Sequence, residues 1–160
     1  MDRCGATVFV FGKRSVYLPV NEAEMVPHCQ EEFEAETCVK NYARKCLAPF
    51  PRQIIGILLQ GASQVIHSRC KPEGVKDYLS HKNCIATTIS DLHDCMDQLV
   101  LGLNAIAKAP ADDRIPMACC AFGRYQHCSI QPIKNKCTDD PKAVEYIGIK
   151  MIKGIKNCFT

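Results

Sequence analysis

This sequence contains no tryptophan, and only 7% of its residues are aromatic. Because the phenylalanines are dispersed, no platform for stacking on sugars is visible. The formal net charge is only +3, with acidic and basic residues interspersed. Since no basic stripe with interleaved aromatics occurs, we expect no nucleic-acid partner.

Several motifs are missing as well. No apolar run is long enough to span a membrane, and there is no Asn-x-Ser/Thr glycosylation acceptor. The GxGxxG, GxSxG and P-loop patterns of nucleotide-binding proteins and hydrolases do not occur. The CxxC and HxxxH pairs typical of zinc sites are also lacking. We therefore expect no membrane span, no cofactor, no metal site and no catalytic residue, and we predict that the protein is not an enzyme.

What the sequence has in abundance is cysteine, with twelve in 160 residues. Their even number and wide spacing favour disulfides over metal ligands, and disulfides persist in oxidising compartments. We predict a secreted, extracellular protein in which Met1 stands in for a removed signal sequence. All twelve are predicted to form disulfides, in a pairing that the sequence does not define: Cys4, Cys29, Cys38, Cys46, Cys70, Cys84, Cys95, Cys119, Cys120, Cys128, Cys137 and Cys158.

The fold class follows from hydrophobic periodicity. The chain is 47% hydrophobic, enough for a sizeable core, and apolar residues recur every three or four positions over long stretches. We predict an all-α, disulfide-stapled bundle of about five to six helices, forming a single domain over residues 1–160 with an irregular N-terminal arm at 1–21. Helices are expected from residue 22 to the prolines at 49 and 51, and at about 52–69, 73–80, 85–106, 115–130 and 141–157.

Some details of these helices can be tested. In the first helix, Glu32 is expected on the charged side between the apolar positions. Asp112 or Asp113 is a candidate cap for the helix at 115–130, and Pro132 is expected to interrupt that helix. The sequence Thr138-Asp-Asp-Pro141 indicates the start of the last helix.

Two helices are candidates to line a ligand cavity. The segment 54–59 is apolar on nearly every side, which is typical of a central core helix, a cavity wall or a dimer face. Together with the amphipathic helix at 85–106, it predicts a pocket for a small apolar ligand. Its predicted lining is Ile54, Ile57, Leu58, Leu92, Met96, Leu99 and Leu103.

One cysteine cluster is partly similar to the CCxxHDxC motif of secreted phospholipases A2. Cys119 and Cys120 are followed by His127, but the next residue is Cys128 rather than an acid. A glycine-rich calcium loop is also missing, so the anionic intermediate of such a reaction would have no electrophile. A phospholipase-like hydrolase is therefore the weakest of the functions considered.

The chain as a whole resembles the secreted cysteine-rich helical proteins of arthropods, of the 27-kDa haemolymph glycoprotein type. The resemblance is carried by CVKNYARKCLAPFPRQ at 38–53, the series Cys70, Cys84 and Cys95, CCAFGRYQHC at 119–128, and KGIKNC at 153–158. It implies an extracellular location and an all-helical disulfide fold, and it implies no enzymatic activity.

We accordingly predict an extracellular, non-enzymatic protein that binds a small apolar ligand or a protein partner. The alternative is a self-associating structural or accessory component of a secreted material, such as silk, venom or another gland product.

Overall fold

A computed structural model describes residues 2–8, 14 and 17–151 of the chain. These residues form helices joined by short connections, with no β-strand among them. The predicted all-α, disulfide-stapled fold is thus confirmed. No helix in the described part of the chain combines the length and the apolar character needed to cross a membrane.

The chain divides into two compact units, Met1–Asn83 and Cys84–Thr160. The first unit contains α1 (Asp2–Val8), α2 (Glu22–Cys46), α3 (Pro49–Arg69) and α4 (Pro72–Ser80). The second contains most of α5 (Lys82–Ile106), a 3-10 turn (Ala111–Asp113), α6 (Arg114–Lys136), α7 (Pro141–Glu145) and a π-helical turn (Tyr146–Met151). That residues 1–160 form a single domain stays a prediction.

The N-terminal arm is not irregular throughout, because Asp2–Val8 is helical. Val8 is almost completely buried against Val39 of α2 and Ile66 of α3, and Cys4 is bonded to Cys38 of α2. Burial and the disulfide outweigh the weak helix propensity of this segment. Residues 17–20 have no regular structure, as expected, and residues 9–13 lie outside the described part.

Hydrogen bonds between Asn21, Glu24 and Val20 cap the start of α2. The Asn21 side chain accepts a hydrogen bond from the Glu24 backbone N–H at 3.0 Å, and the Glu24 carboxylate accepts one from the Val20 N–H at 2.9 Å. At the other end of α2, the next helix begins at Pro49 rather than at residue 52. Proline is tolerated in a first turn because that turn needs no N–H donor there. Pro51 lies in the first turn of α3, as its position after α2 predicts, and Pro49 begins α3 instead of ending α2.

The connection between α3 and α4 is tight. A Cβ on Gly74 would lie 2.0 Å from the carbonyl oxygen of Ser68 and 2.7 Å from that of Arg69. Only a residue without a side chain therefore allows α4 to pack this closely on the end of α3. This packing fixes the position of α4 relative to α2, which matters for the site below.

In the second unit, the long amphipathic helix predicted at 85–106 is confirmed as α5. Its buried positions follow the expected spacing and include Ile85, Leu92, Cys95, Met96 and Leu99.

The helix α6 runs through Pro132 to Lys136, so the prediction that Pro132 interrupts it is wrong. A proline inside a helix costs about 3 kcal/mol. Here the helix is anchored on both sides of Pro132, by the Cys95–Cys128 and Cys84–Cys137 bridges, and the neighbouring Ile133 is fully buried. These interactions offset the lost hydrogen bond.

Of the predicted capping residues, one forms a capping hydrogen bond and one does not. Asp113 occupies the N-cap position of α6, but its side chain makes no capping hydrogen bond. Asp140 does cap α7, because its side chain accepts a hydrogen bond from the Ala143 N–H at 3.2 Å. The α-helical part of the last predicted helix covers only Pro141–Glu145 before the π-helical turn begins, and residues 152–157 lie outside the described part.

Four disulfides lie within the described residues, two in each unit: Cys4–Cys38, Cys29–Cys70, Cys84–Cys137 and Cys95–Cys128. Cys119 is disulfide-bonded as well, whereas Cys158 lies outside the described part. Cys46 and Cys120 are free and exposed, so the prediction of disulfide participation is wrong for these two. Cys46 ends α2, and Cys120 lies on the solvent side of α6 beside the buried Ala121, which places both sulfurs on the surface.

Candidate ligand-binding groove

An open groove of about 770 Å³ lies in the first unit, between α2 and α4. Its apolar lining comprises Met25, Val26 and Phe33 of α2, together with Pro72 and Val75 of α4. Val26 is 70% exposed although it is a large apolar residue. Most of the groove surface is apolar, and the groove is open to solvent along one side.

The α2 wall follows from helical spacing. Val26, Gln30, Phe33 and Thr37 recur every three or four residues, which places them along one stripe of the helix. The polar side chains of the lining are Glu22, Gln30, Glu34, Thr37 and Lys76. Acidic and basic groups therefore both border an otherwise apolar surface.

The disulfide Cys29–Cys70 forms part of the groove lining. It joins the N-terminal third of α2 to the residue that ends α3, two residues before α4 begins. The two walls of the groove are thus held together covalently. This limits the conformational entropy that the groove could lose when it binds a ligand.

A buried ionic cluster adjoins this disulfide. Glu32 is 1% exposed, and its carboxylate accepts a hydrogen bond from Nη2 of Arg69, which is 3% exposed. The same carboxylate lies 3.5 Å from Nε2 of His28 and 3.8 Å from Sγ of Cys70. Nε and Nη1 of Arg69 are buried without a hydrogen-bond partner among the described residues.

The electrostatics of the cluster favour a charged Glu32. Burial alone would raise the pKa of this carboxyl, but the hydrogen bond with His28 and the positive charge of Arg69 outweigh burial, and the pKa lies below its ordinary value. Burial raises the pKa of the Tyr78 phenol on α4 to about 12, and the charges of Arg69 and Glu32 act on this pKa in opposite directions. The expectation that Glu32 lies on the charged, solvated side of α2 is wrong, because Arg69 from α3 supplies its counter-charge in the interior.

A second buried carboxylate lies one turn further along α2. Glu36 accepts hydrogen bonds from Ser63 Oγ at 2.6 Å and from Lys40, and it lies 3.2 Å from Nε2 of His67. Burial would raise the pKa of Glu36, but the hydrogen bonds from Lys40 and Ser63 outweigh it, and the pKa is lowered. Ser63 donates to the carboxylate and not to the imidazole, so this arrangement differs from a Ser-His-acid triad, in which the imidazole stands between serine and acid.

One group of metal-ligating side chains is found among the described residues. The donor atoms of Cys29, Glu32 and Cys70 lie within 4.8 Å of one another. The two sulfurs are joined in a disulfide, however, and metal ions are bound by thiolates.

Four of the seven residues predicted to line a cavity belong to the second unit and not to this groove. Leu92, Met96 and Leu99 are buried within the second unit, and Leu103 is partly exposed at 36%. The side chains of Ile54, Ile57 and Leu58 lie outside the described part of the structure. A cavity lined by these seven residues therefore stays a prediction.

The segment that is partly similar to the phospholipase A2 motif lies on α6. His127 is exposed on α6, and its Nε2 lies 3.4 Å from the Gln131 side chain. Cys128 is bonded to Cys95, and Cys120 is free. The imidazole of His127 thus has the side-chain amide of Gln131 beside it, where the phospholipase motif would require a carboxylate.

The fold and the groove define a disulfide-stapled, all-helical protein with an open apolar groove. No protein-family model, curated protein or solved structure matches the chain.

Proposed function

We propose that this is an extracellular, non-enzymatic binding protein whose α2–α4 groove holds a small apolar ligand. The observation that carries the proposal is the groove, whose apolar walls are joined by a disulfide. We also propose that the protein is related to the secreted cysteine-rich helical proteins of arthropods, which its sequence resembles. The four disulfides are compatible with a secreted protein, since such bonds persist in oxidising compartments.

The size and chemistry of the groove suit an alkyl chain or another lipid-sized molecule. Its volume of about 770 Å³ is in the range of ordinary small-molecule sites. Burying one methylene group contributes about 0.8 kcal/mol, so a chain of about ten methylenes gains roughly 8 kcal/mol before the entropic cost of association is subtracted. The open side leaves a polar head group in water beside the charged rim.

A fluorescent alkyl probe displaced by fatty acids or alcohols of increasing length tests the proposal. Each added methylene is expected to lower Kd by about fourfold until the groove is filled. Val26→Glu places a charge on the exposed groove wall and is expected to weaken binding at least tenfold, with the helical circular dichroism unchanged.

Leu101→Glu is the matched control. Leu101 is 69% exposed on α5 and is not part of the groove, so this variant should bind like the wild type. Absence of binding across the whole ligand series, or equal affinity of the Val26→Glu variant and the wild type, would contradict the proposal.

A second candidate function is self-association within a secreted material, and surface features of the second unit favour it. Leu101, Ile115 and Met117 are large apolar residues exposed to solvent, and Cys120 is an exposed free thiol. Sedimentation velocity over a wide concentration range tests this function. A strict monomer at millimolar concentration, without disulfide-linked species on a non-reducing gel, would argue against it.

A further inference from the structure

Cys70 is partly exposed, as are Cys128 and both residues of the Cys4–Cys38 bridge, whereas Cys84 and Cys137 are buried. What distinguishes Cys29–Cys70 is first that both of its residues belong to the lining of the α2–α4 groove. A thiol that enters the groove can therefore reach the Cys29–Cys70 bond without unfolding of the chain.

The same bridge also differs in what surrounds it. Glu32 Oε2 lies 3.8 Å from Cys70 Sγ, and the other oxygen of this carboxylate contacts Arg69. Among the described residues, no other disulfide has a carboxylate or imidazole grouped within 4.8 Å of both sulfurs. The carboxylate and the guanidinium thus distinguish this bridge from the rest.

These neighbours stabilise the reduced form more than the oxidised form. Once the S–S bond is broken, a Cys70 thiol can donate a hydrogen bond to Glu32, which a disulfide sulfur cannot do. Disulfides that are exposed and whose reduced form is stabilised have higher reduction potentials.

We propose that Cys29–Cys70 is a redox-active disulfide that exchanges with dithiols entering the α2–α4 groove. A ligand thiolate attacks the more exposed Cys70 Sγ, so that a ligand–Cys70 bond forms and the Cys29–Cys70 bond breaks. Cys29 leaves as a thiolate and takes a proton from solvent.

A second thiolate of the same ligand then attacks the ligand sulfur of the mixed disulfide. Cys70 is released, is protonated from solvent, and donates its hydrogen bond to Glu32. The ligand dithiol loses two electrons and becomes a disulfide, and the protein disulfide gains them and becomes two thiols. Each protein molecule therefore oxidises one dithiol before it needs reoxidation.

This exchange uses the groove but does not require it to retain apolar ligands. If the wild-type protein binds no alkyl probe but its Cys29–Cys70 bridge still exchanges with dithiothreitol, the binding proposal fails and the exchange stands. The two proposals can therefore fail separately.

The test begins with the full-length oxidised protein, whose free thiols at Cys46 and Cys120 are first blocked with iodoacetamide. The protein is incubated with graded dithiothreitol, quenched with acid, labelled with N-ethylmaleimide and mapped by mass spectrometry. Cys29 and Cys70 should be half-labelled at a dithiothreitol concentration at least tenfold below that needed for the other three described bridges, including the partly exposed Cys4–Cys38. One equivalent of oxidised dithiothreitol should appear for each protein molecule. If Cys29–Cys70 is reduced together with or after any other described bridge, the proposal is overturned.

A groove variant separates groove access from general instability. Val26→Trp, which fills the groove from its exposed wall, should slow reduction of Cys29–Cys70 by the bulky thiol glutathione at least threefold. It should leave reduction of Cys95–Cys128 unchanged, and Leu101→Trp should affect neither bridge. An equal rate at Cys29–Cys70 in the Val26→Trp variant and the wild type would show that thiols do not arrive through the groove and would refute the proposed route.

Discussion

The buried pair of Glu32 and Arg69 allows a sharp prediction about stability. Both side chains are almost completely removed from solvent, and each neutralises the other. Removing one partner leaves a charge in the interior, which typically costs about 3–5 kcal/mol. We expect Arg69→Met to lower the free energy of unfolding by about 3 kcal/mol, near the lower limit because His28 still adjoins the carboxylate.

Replacing both partners should behave differently. In the wild type, Nε and Nη1 of Arg69 are buried without partners, and each such group costs about 1–3 kcal/mol. The double variant Glu32→Leu with Arg69→Met removes these groups together with both charges. Its stability should therefore lie within about 1 kcal/mol of the wild type, since apolar replacements of buried ion pairs are often neutral.

Urea unfolding at neutral pH, followed by circular dichroism with the disulfides intact, gives these free energies, and hydrogen exchange of α2 assigns the loss to the first unit. Lys136→Met is the control, because Lys136 pairs with Asp91 on the surface of the second unit. An exposed pair contributes only about 0–1 kcal/mol. If Arg69→Met is no less stable than Lys136→Met, the reasoning about the buried pair is refuted.

Three further measurements test other parts of the structure. Gly74→Ala should destabilise the protein by more than about 2 kcal/mol, because its Cβ would overlap a carbonyl oxygen at the end of α3. Gly56→Ala has open space at its Cβ and should stabilise α3 by about 0.5–1 kcal/mol in thermal unfolding. Equal effects of the two substitutions would contradict the close packing of α4 on α3. The carboxyls of Glu32 and Glu36 have lowered pKa values, so their contribution is complete above the unfolded-state pKa and is lost as the pH falls through the folded-state pKa. The melting temperature should therefore decrease below about pH 5, and a flat profile down to pH 3 would refute the role of these carboxylates. Finally, Asn21→Ala removes the N-cap of α2 and should cost about 1 kcal/mol in urea unfolding; no change in the midpoint would exclude the cap as a source of stability.

The elements that could be predicted from sequence are those determined by local periodicity. Apolar residues recur every three or four positions along one face of α5 over about six turns, so the extent of this helix follows from its own residues. The helical state of Asp2–Val8 could not be predicted in this way, because it depends on burial of Val8 against helices distant in sequence. Continuation of α6 through Pro132 likewise depends on bridges to α5.

The candidate site was missed for a related reason. The stripe of Val26, Phe33 and Thr37 was present in the sequence, but the partner wall is supplied by α4. Which helix lies opposite α2 is determined by the pairing of Cys29 with Cys70, and a sequence with twelve cysteines does not reveal that pairing. Similarly, Glu32 looks like a surface residue until Arg69 is placed beside it.

The most direct test of the groove as the ligand site is photoaffinity labelling with an alkyl chain that carries a diazirine. We expect irradiation to label peptides of α2 and α4 that contain Val26, Phe33 or Val75, and excess unlabelled fatty acid to remove the label. Labelling confined to the exposed apolar residues of the second unit, such as Leu101 and Met117, would contradict this expectation.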